Sequence, residues 1–129
     1  MALVTFLAGE PIDRFTPVTV TSDGFVYKSC ALDPTTAYMT GLSLTSGNVN
    51  SQIKIQTDNI VPNFPGSPGE NYYVGGASGT IASGYSQWET SVDNVTTGAF
   101  LTSFGIALTS NDLSIEIENP IFVSGSGFL

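Results

Sequence analysis

Glu116 and Glu118 are the residues whose type and spacing best suit them to chemistry, two carboxylates at i and i+2 in "LSIEIEN". On an extended strand that spacing places them on one face, about 7 Å apart. Such a separation is compatible with the paired carboxylates of glycoside hydrolysis. The acid of such a pair needs its pKa raised by burial. Here the pair alternates with Ile115 and Ile117, which turns the glutamates to the wet face. A solvated charge pair protecting a strand is therefore the favoured reading. The sequence has no histidine, and with it lacks the commonest general base, activator of Ser or Cys, and neutral metal ligand. "GGASGTIASG" (75–84) is Gly-rich, but no basic residue follows and no helix is expected after it, so it reads as a turn and not a phosphate cradle. Cys30 is the sole cysteine, and its apolar neighbours predict a small buried side chain. Asp23, Asp93 and Asp112 stand beside Gly or Asn, where Asp bonds its own backbone in turns. No loop has calcium-binding spacing, and "NVT" at 94–96 fits a glycosylation sequon without any export signal to give it meaning. The expectation is a protein without catalysis, cofactor or metal.

Charge and composition narrow the partners. Eleven acidic residues face three basic ones (Arg14, Lys28, Lys54), a net charge of −8. Nucleic-acid affinity comes mainly from clustered Lys and Arg neutralising phosphate, so this balance excludes nucleic acid and disfavours anionic membrane surfaces. Only 11% of the 129 residues are charged while 41% are apolar, against a usual charged share of about 25%. Apolar surface left uncovered by charge tends to mark interfaces. Assembly is expected; the alternative is a monomer with a Thr/Ser-rich exterior. A lone cysteine offers no disulfide framework, which points to folding in a reducing cytoplasm. The opening "MALVTFLAGEPIDRF" has no basic lead and is not read as a signal peptide, and no apolar run reaches the ~20 residues of a membrane span.

The elements that position these residues read as strands. Val18 and Val20 alternate with Thr19 and Thr21, then Asp23-Gly24 precedes Phe25-Val26-Tyr27, a hairpin signal. "SQIKIQTDNIV" turns Ile53 and Ile55 inward with Lys54 and Gln56 outward, and "DLSIEIENPIFV" does the same with Leu113, Ile115 and Ile117 inward. No stretch of ten or more residues holds helical apolar spacing free of turn residues. The chain reads as all-β.

One passage occurs twice. "AYMTGLSLTS" (37–46) and "AFLTSFGIALTS" (99–110) each lead through a loop into an alternating strand, so that Ala37 matches Ala99, Thr40 matches Thr102 and Gly41 matches Gly105. Upstream, "SDGFVYKS" and "ASGTIASG" both read as a turn followed by a short strand. The expected architecture is a single compact β-barrel or sandwich of two pseudo-repeated β units. Its parts are an N-terminal arm (1–14), a first unit (15–61), a Pro/Gly linker (62–71), a second unit (72–123) and a C-terminal tail (124–129). Units this small seldom bury enough alone, so they are expected to pack on each other.

Residues 9–61, with Asp23-Gly24, Lys28, Gly41-Leu42-Ser43-Leu44 and the run from Ile53 to Val61, resemble the small β-rich capsid cement, or decoration, proteins of tailed bacteriophages. The resemblance implies a non-enzymatic virion protein on the outer capsid surface, folded in the host cytoplasm. Its partners would be the major capsid protein and itself, as a homotrimer. A tail-fibre or baseplate module binding host glycan is the alternative, with Trp88, Tyr85, Tyr72 and Tyr73 as stacking rings; against it stands a reading in which these rings fill the core. Candidate contact residues lie at the two ends: Leu3, Val4, Phe6 and Leu7 in the N-terminal arm, and Phe128 and Leu129 beyond a Ser/Gly spacer. Each end either reaches a neighbouring subunit or the capsid, or docks on its own domain.

Overall fold

The computed structural model describes residues 3–92 and 98–123; Asp93, the "NVT" sequon, Phe128 and Leu129 lie outside them. The Val/Thr alternation around Asp23-Gly24 forms the first hairpin, β2 (Pro17–Val20) against β3 (Phe25–Lys28), with Val20 opposite Val26. Gly24 turns the corner at φ +84°, a conformation costly for other residues. β1 (Leu3–Ala8), β4 (Gly41–Ser43) and β5 (Gln52–Gln56) complete a closed barrel in the order β1-β3-β2-β4-β5.

Closure depends on β1, which lies parallel to β3 and antiparallel to β5. Over these residues the expected N-terminal arm is instead a barrel strand. The hairpin and β5 would otherwise each present an unpaired edge, and β1 satisfies both. Its alternation sends Val4 and Phe6 into the interior with Val18, Val26, Ile53 and Ile55.

Five further strands form a second sheet: β6 (Asn59–Pro62), β7 (Asn71–Val74), β8 (Ile81–Ser83), β10 (Ser103–Ala107) and β11 (Asp112–Ile115), ordered β6-β11-β10-β7-β8. β9 (Ala99–Leu101) and β12 (Ile121–Val123) make a separate antiparallel pair. The two five-stranded sheets match strand for strand. From β1 the barrel runs β1, β5, β4, β2, β3; the second sheet runs β6, β11, β10, β7, β8, with the same antiparallel neighbours throughout. The twice-used passage is thus a structural duplication, closed in the first copy and open in the second, where β6 and β8 do not pair.

The duplicated residues keep their jobs. A Cβ on Gly41 would stand 2.6 Å from the Gln56 carbonyl oxygen, and one on Gly105 would stand 2.6 Å from that of Ser114. Both glycines let the next strand approach. Ala37 and Ala99 are both buried, and Thr102 Oγ1 donates to the Ala37 carbonyl at 2.9 Å, joining one copy directly to the other. The junction falls at Thr57–Asp58, ahead of the Pro/Gly run, because β6 pairs with β11. Gln56, expected outward, is buried: its Nε2 donates to the carbonyls of Asp58 at 2.8 Å and Ile60 at 3.0 Å and ties down that junction.

The copies pack on each other through a shared core in which Leu42 and Met39 of the first meet Val74, Phe104, Leu113 and Ile115 of the second. Burying side chains of this size stabilises by about 1.5–3 kcal/mol each. A helix, α1 (Tyr85–Ser91), opens directly after the Gly-rich stretch where none was expected. It is held by Trp88, fully buried, whose Nε1 donates to the Phe100 carbonyl at 3.2 Å. Cys30 is half-buried, its thiol 3.3 Å from the Gly76 carbonyl oxygen.

Candidate functional site

The outer face of the second sheet carries a cleft. It forms where β10 departs from regular pairing: Ser103 lies opposite Tyr73 and Gly105 opposite Tyr72, so Phe104 is an extra residue. A bulge of this kind bends its strand and re-aims side chains. Phe104 goes to the core with no exposed surface, while Ser103 and Gly105 line the cleft.

On the other side of β10 the chain runs on past β11. The Glu116 and Glu118 amides donate to the carbonyls of Phe104 and Ser103, each at 2.9 Å. These two bonds fix the backbone of the glutamate pair beside the bulge and leave both side chains exposed. The expectation of a wet face is met. Both carboxylates therefore stand at the surface as hydrogen-bond acceptors.

Two lobes share Asn71, Ser103 and Glu118. The larger, of about 320 Å³, adds Tyr73, Leu101, Asn119 and Ile121. The smaller, of about 210 Å³, adds Gly105, Ile106 and Glu116. Tyr73 is half-buried and packs against the cluster built around Trp88, Ala82 and Val123. That cluster holds the ring at the cleft wall.

The residues singled out by sequence therefore part company. Tyr73 and the two glutamates, drawn from different hypotheses, meet in one cleft. Trp88 and Tyr72 are core residues, and Tyr85 stacks on Trp88 at 5.5 Å with the rings tilted by 32°. The four N-terminal residues split by strand alternation, Val4 and Phe6 facing inward and Leu3 and Leu7 exposed. Asn71, Ser103 and Asn119 were missed, and nothing local marks them, since the bulge that gathers them depends on pairing across three strands. Among the described residues no group of three or more His, Cys, Asp or Glu could hold a metal ion.

An acid with a shifted pKa lies elsewhere. Asp23 at the first hairpin accepts from the Thr21 hydroxyl, from the Phe25 amide at 2.9 Å and from the Tyr27 hydroxyl at 2.8 Å. These donors hold its carboxyl below the usual value, and the same contact raises the Tyr27 hydroxyl. This is turn chemistry on a fully exposed side chain. No known protein family and no curated protein matches the chain.

Proposed function

We propose that this chain is a structural virion protein that binds the outer surface of a phage capsid as a homotrimer and bridges neighbouring major capsid subunits. The observation that carries the reading is the apolar exterior. Among the described residues, large apolar side chains stand between 37% and 59% exposed on several outer faces: Leu3 and Leu7 on β1, Ile60 and Ile106 across the second sheet, Ile121 and Phe122 on β12. In a chain with 11% charged residues, such surface favours partners over solvent. The resemblance of residues 9–61 to capsid cement proteins supplies the partner, and closed rotational symmetry suits a self-associating chain of this size.

The test is direct. Light scattering on dilute purified protein should give three times the chain mass, and the protein should sediment with undecorated heads. Leu3→Asp with Leu7→Asp, both on the outer face of β1, should weaken head binding while the fold survives. A soluble monomer that stays in the supernatant with heads present refutes the proposal.

A further inference from the structure

We infer that the cleft on the outer face of the second sheet is a binding site for a short, neutral oligosaccharide. Its larger lobe, about 320 Å³, reaches the lower end of the range of small-molecule sites, and the second lobe extends it along β10.

The lining has the two features that a pyranose requires. The first is an aromatic ring fixed in advance. Tyr73 is anchored by the apolar cluster it packs against, so little conformational freedom is lost when a sugar's C–H face stacks on it. Leu101, Ile106 and Ile121 add apolar wall on either side. The second is a set of polar groups with no competing engagement. Among the described residues, no hydrogen bond or ion pair occupies the side chains of Asn71, Tyr73, Ser103, Glu116, Glu118 or Asn119, while the backbone amides of both glutamates are already paired with β10. Carboxylates accept from hydroxyls, amides both donate and accept, and the two hydroxyls do either. Alternating donors and acceptors suit the vicinal hydroxyls of a sugar.

Charge selects among sugars. Two carboxylates in the cleft of a chain with net charge −8 repel sialylated, uronic and sulfated glycans. A cationic peptide would draw most of its affinity from the two carboxylates, with the amides and the ring as lesser contacts, so added salt would weaken it. Neutral hexose or N-acetylhexosamine chains use all of them. This inference does not rest on capsid binding, and the test below uses the isolated protein, so either proposal can fail without the other.

The experiment titrates the full-length protein, by calorimetry and amide chemical-shift mapping, with maltotriose, cellotriose, tri-N-acetylchitotriose, sialyllactose and hexalysine. At least one of the three neutral trisaccharides should bind, with shifts centred on Asn71, Tyr73, Ser103 and Asn119, and its affinity should be unmoved by added salt. Tyr73→Ala should weaken binding roughly fivefold or more, whereas Tyr73→Phe keeps the stacking face and should stay close to the native affinity. Glu118→Gln and Asn119→Ala, both at exposed positions, give a second reading should Tyr73→Ala fail to fold. Three results overturn the inference: no neutral trisaccharide binding, saccharide binding untouched by all of these substitutions, or binding only of hexalysine that salt abolishes. The last would assign the cleft to a basic protein segment.

Discussion

Asp23 shows how a single exposed side chain couples the first hairpin to pH. Three donors stabilise its ionised form, the Thr21 hydroxyl foremost, and hold its pKa below the ordinary carboxylate value. Between the folded and unfolded pKa values the unfolded chain binds more protons. The contribution to stability is therefore complete above the unfolded-state carboxylate pKa and is lost as pH falls through the folded one. Denaturant unfolding followed from neutral pH downward should show the gap between native protein and Asp23→Asn closing in that acidic interval, and closing modestly, because the group is fully exposed. Gly41 and Gly105 make a paired prediction. Either changed to Ala drives a Cβ against the neighbouring strand's carbonyl oxygen, and the overpacking should cost about 1–3 kcal/mol, read as a fall in urea midpoint. The matched positions of these glycines, like Asp23-Gly24, could be read from the chain because a turn or a repeat leaves a local mark. Gln56 could not, since only the junction of the two copies gives its amide two carbonyls.

Among the elements, β1 and α1 were the least legible, for opposite reasons. α1 is seven residues long, two turns, too short for apolar periodicity to emerge, and tertiary packing of Trp88 holds it. Trp88→Ala should lower stability by about 3–5 kcal/mol, with far-ultraviolet circular dichroism tracking the loss. β1 alternates clearly, but "GEPID" cuts it off from the next strand, and its partners lie across the first copy. Nothing local distinguishes a strand that completes a barrel from an arm that completes a neighbour. Deleting residues 1–8 decides between them: the truncated protein should lose cooperative unfolding and gain dye-binding apolar surface. A truncation that unfolds as sharply as the full chain would return these residues to the role of an arm.

For the whole molecule, duplication was visible in sequence while closure was not. The matched Ala, Thr and Gly positions announced two copies, and the equal strand order bears that out. Whether a sheet closes depends on an extra edge pairing, β1 with β3, that β6 and β8 lack. The same difference predicts unequal protection. Amides of Val26, Ile53 and Ile55, inside the closed copy, should exchange with solvent more slowly than those of Ile60 and Ile81, which sit on strands at the open edges. Hydrogen exchange under native conditions measures this directly. The cleft gathers its residues from β7, β9, β10, β12 and the segment between β11 and β12, which is why only its glutamates and its tyrosine stood out beforehand.

The placement of β1 also has a mechanical side. Tension applied to the chain ahead of Leu3 enters along β1, where five paired positions with β5 and two with β3 would all have to yield together in shear. Tension applied beyond Val123 enters through β12, paired over three positions with β9 alone, and in forced extension from both ends this shorter ladder should part first. Under load the two ends should thus yield unequally, the β12 end well before the β1 end.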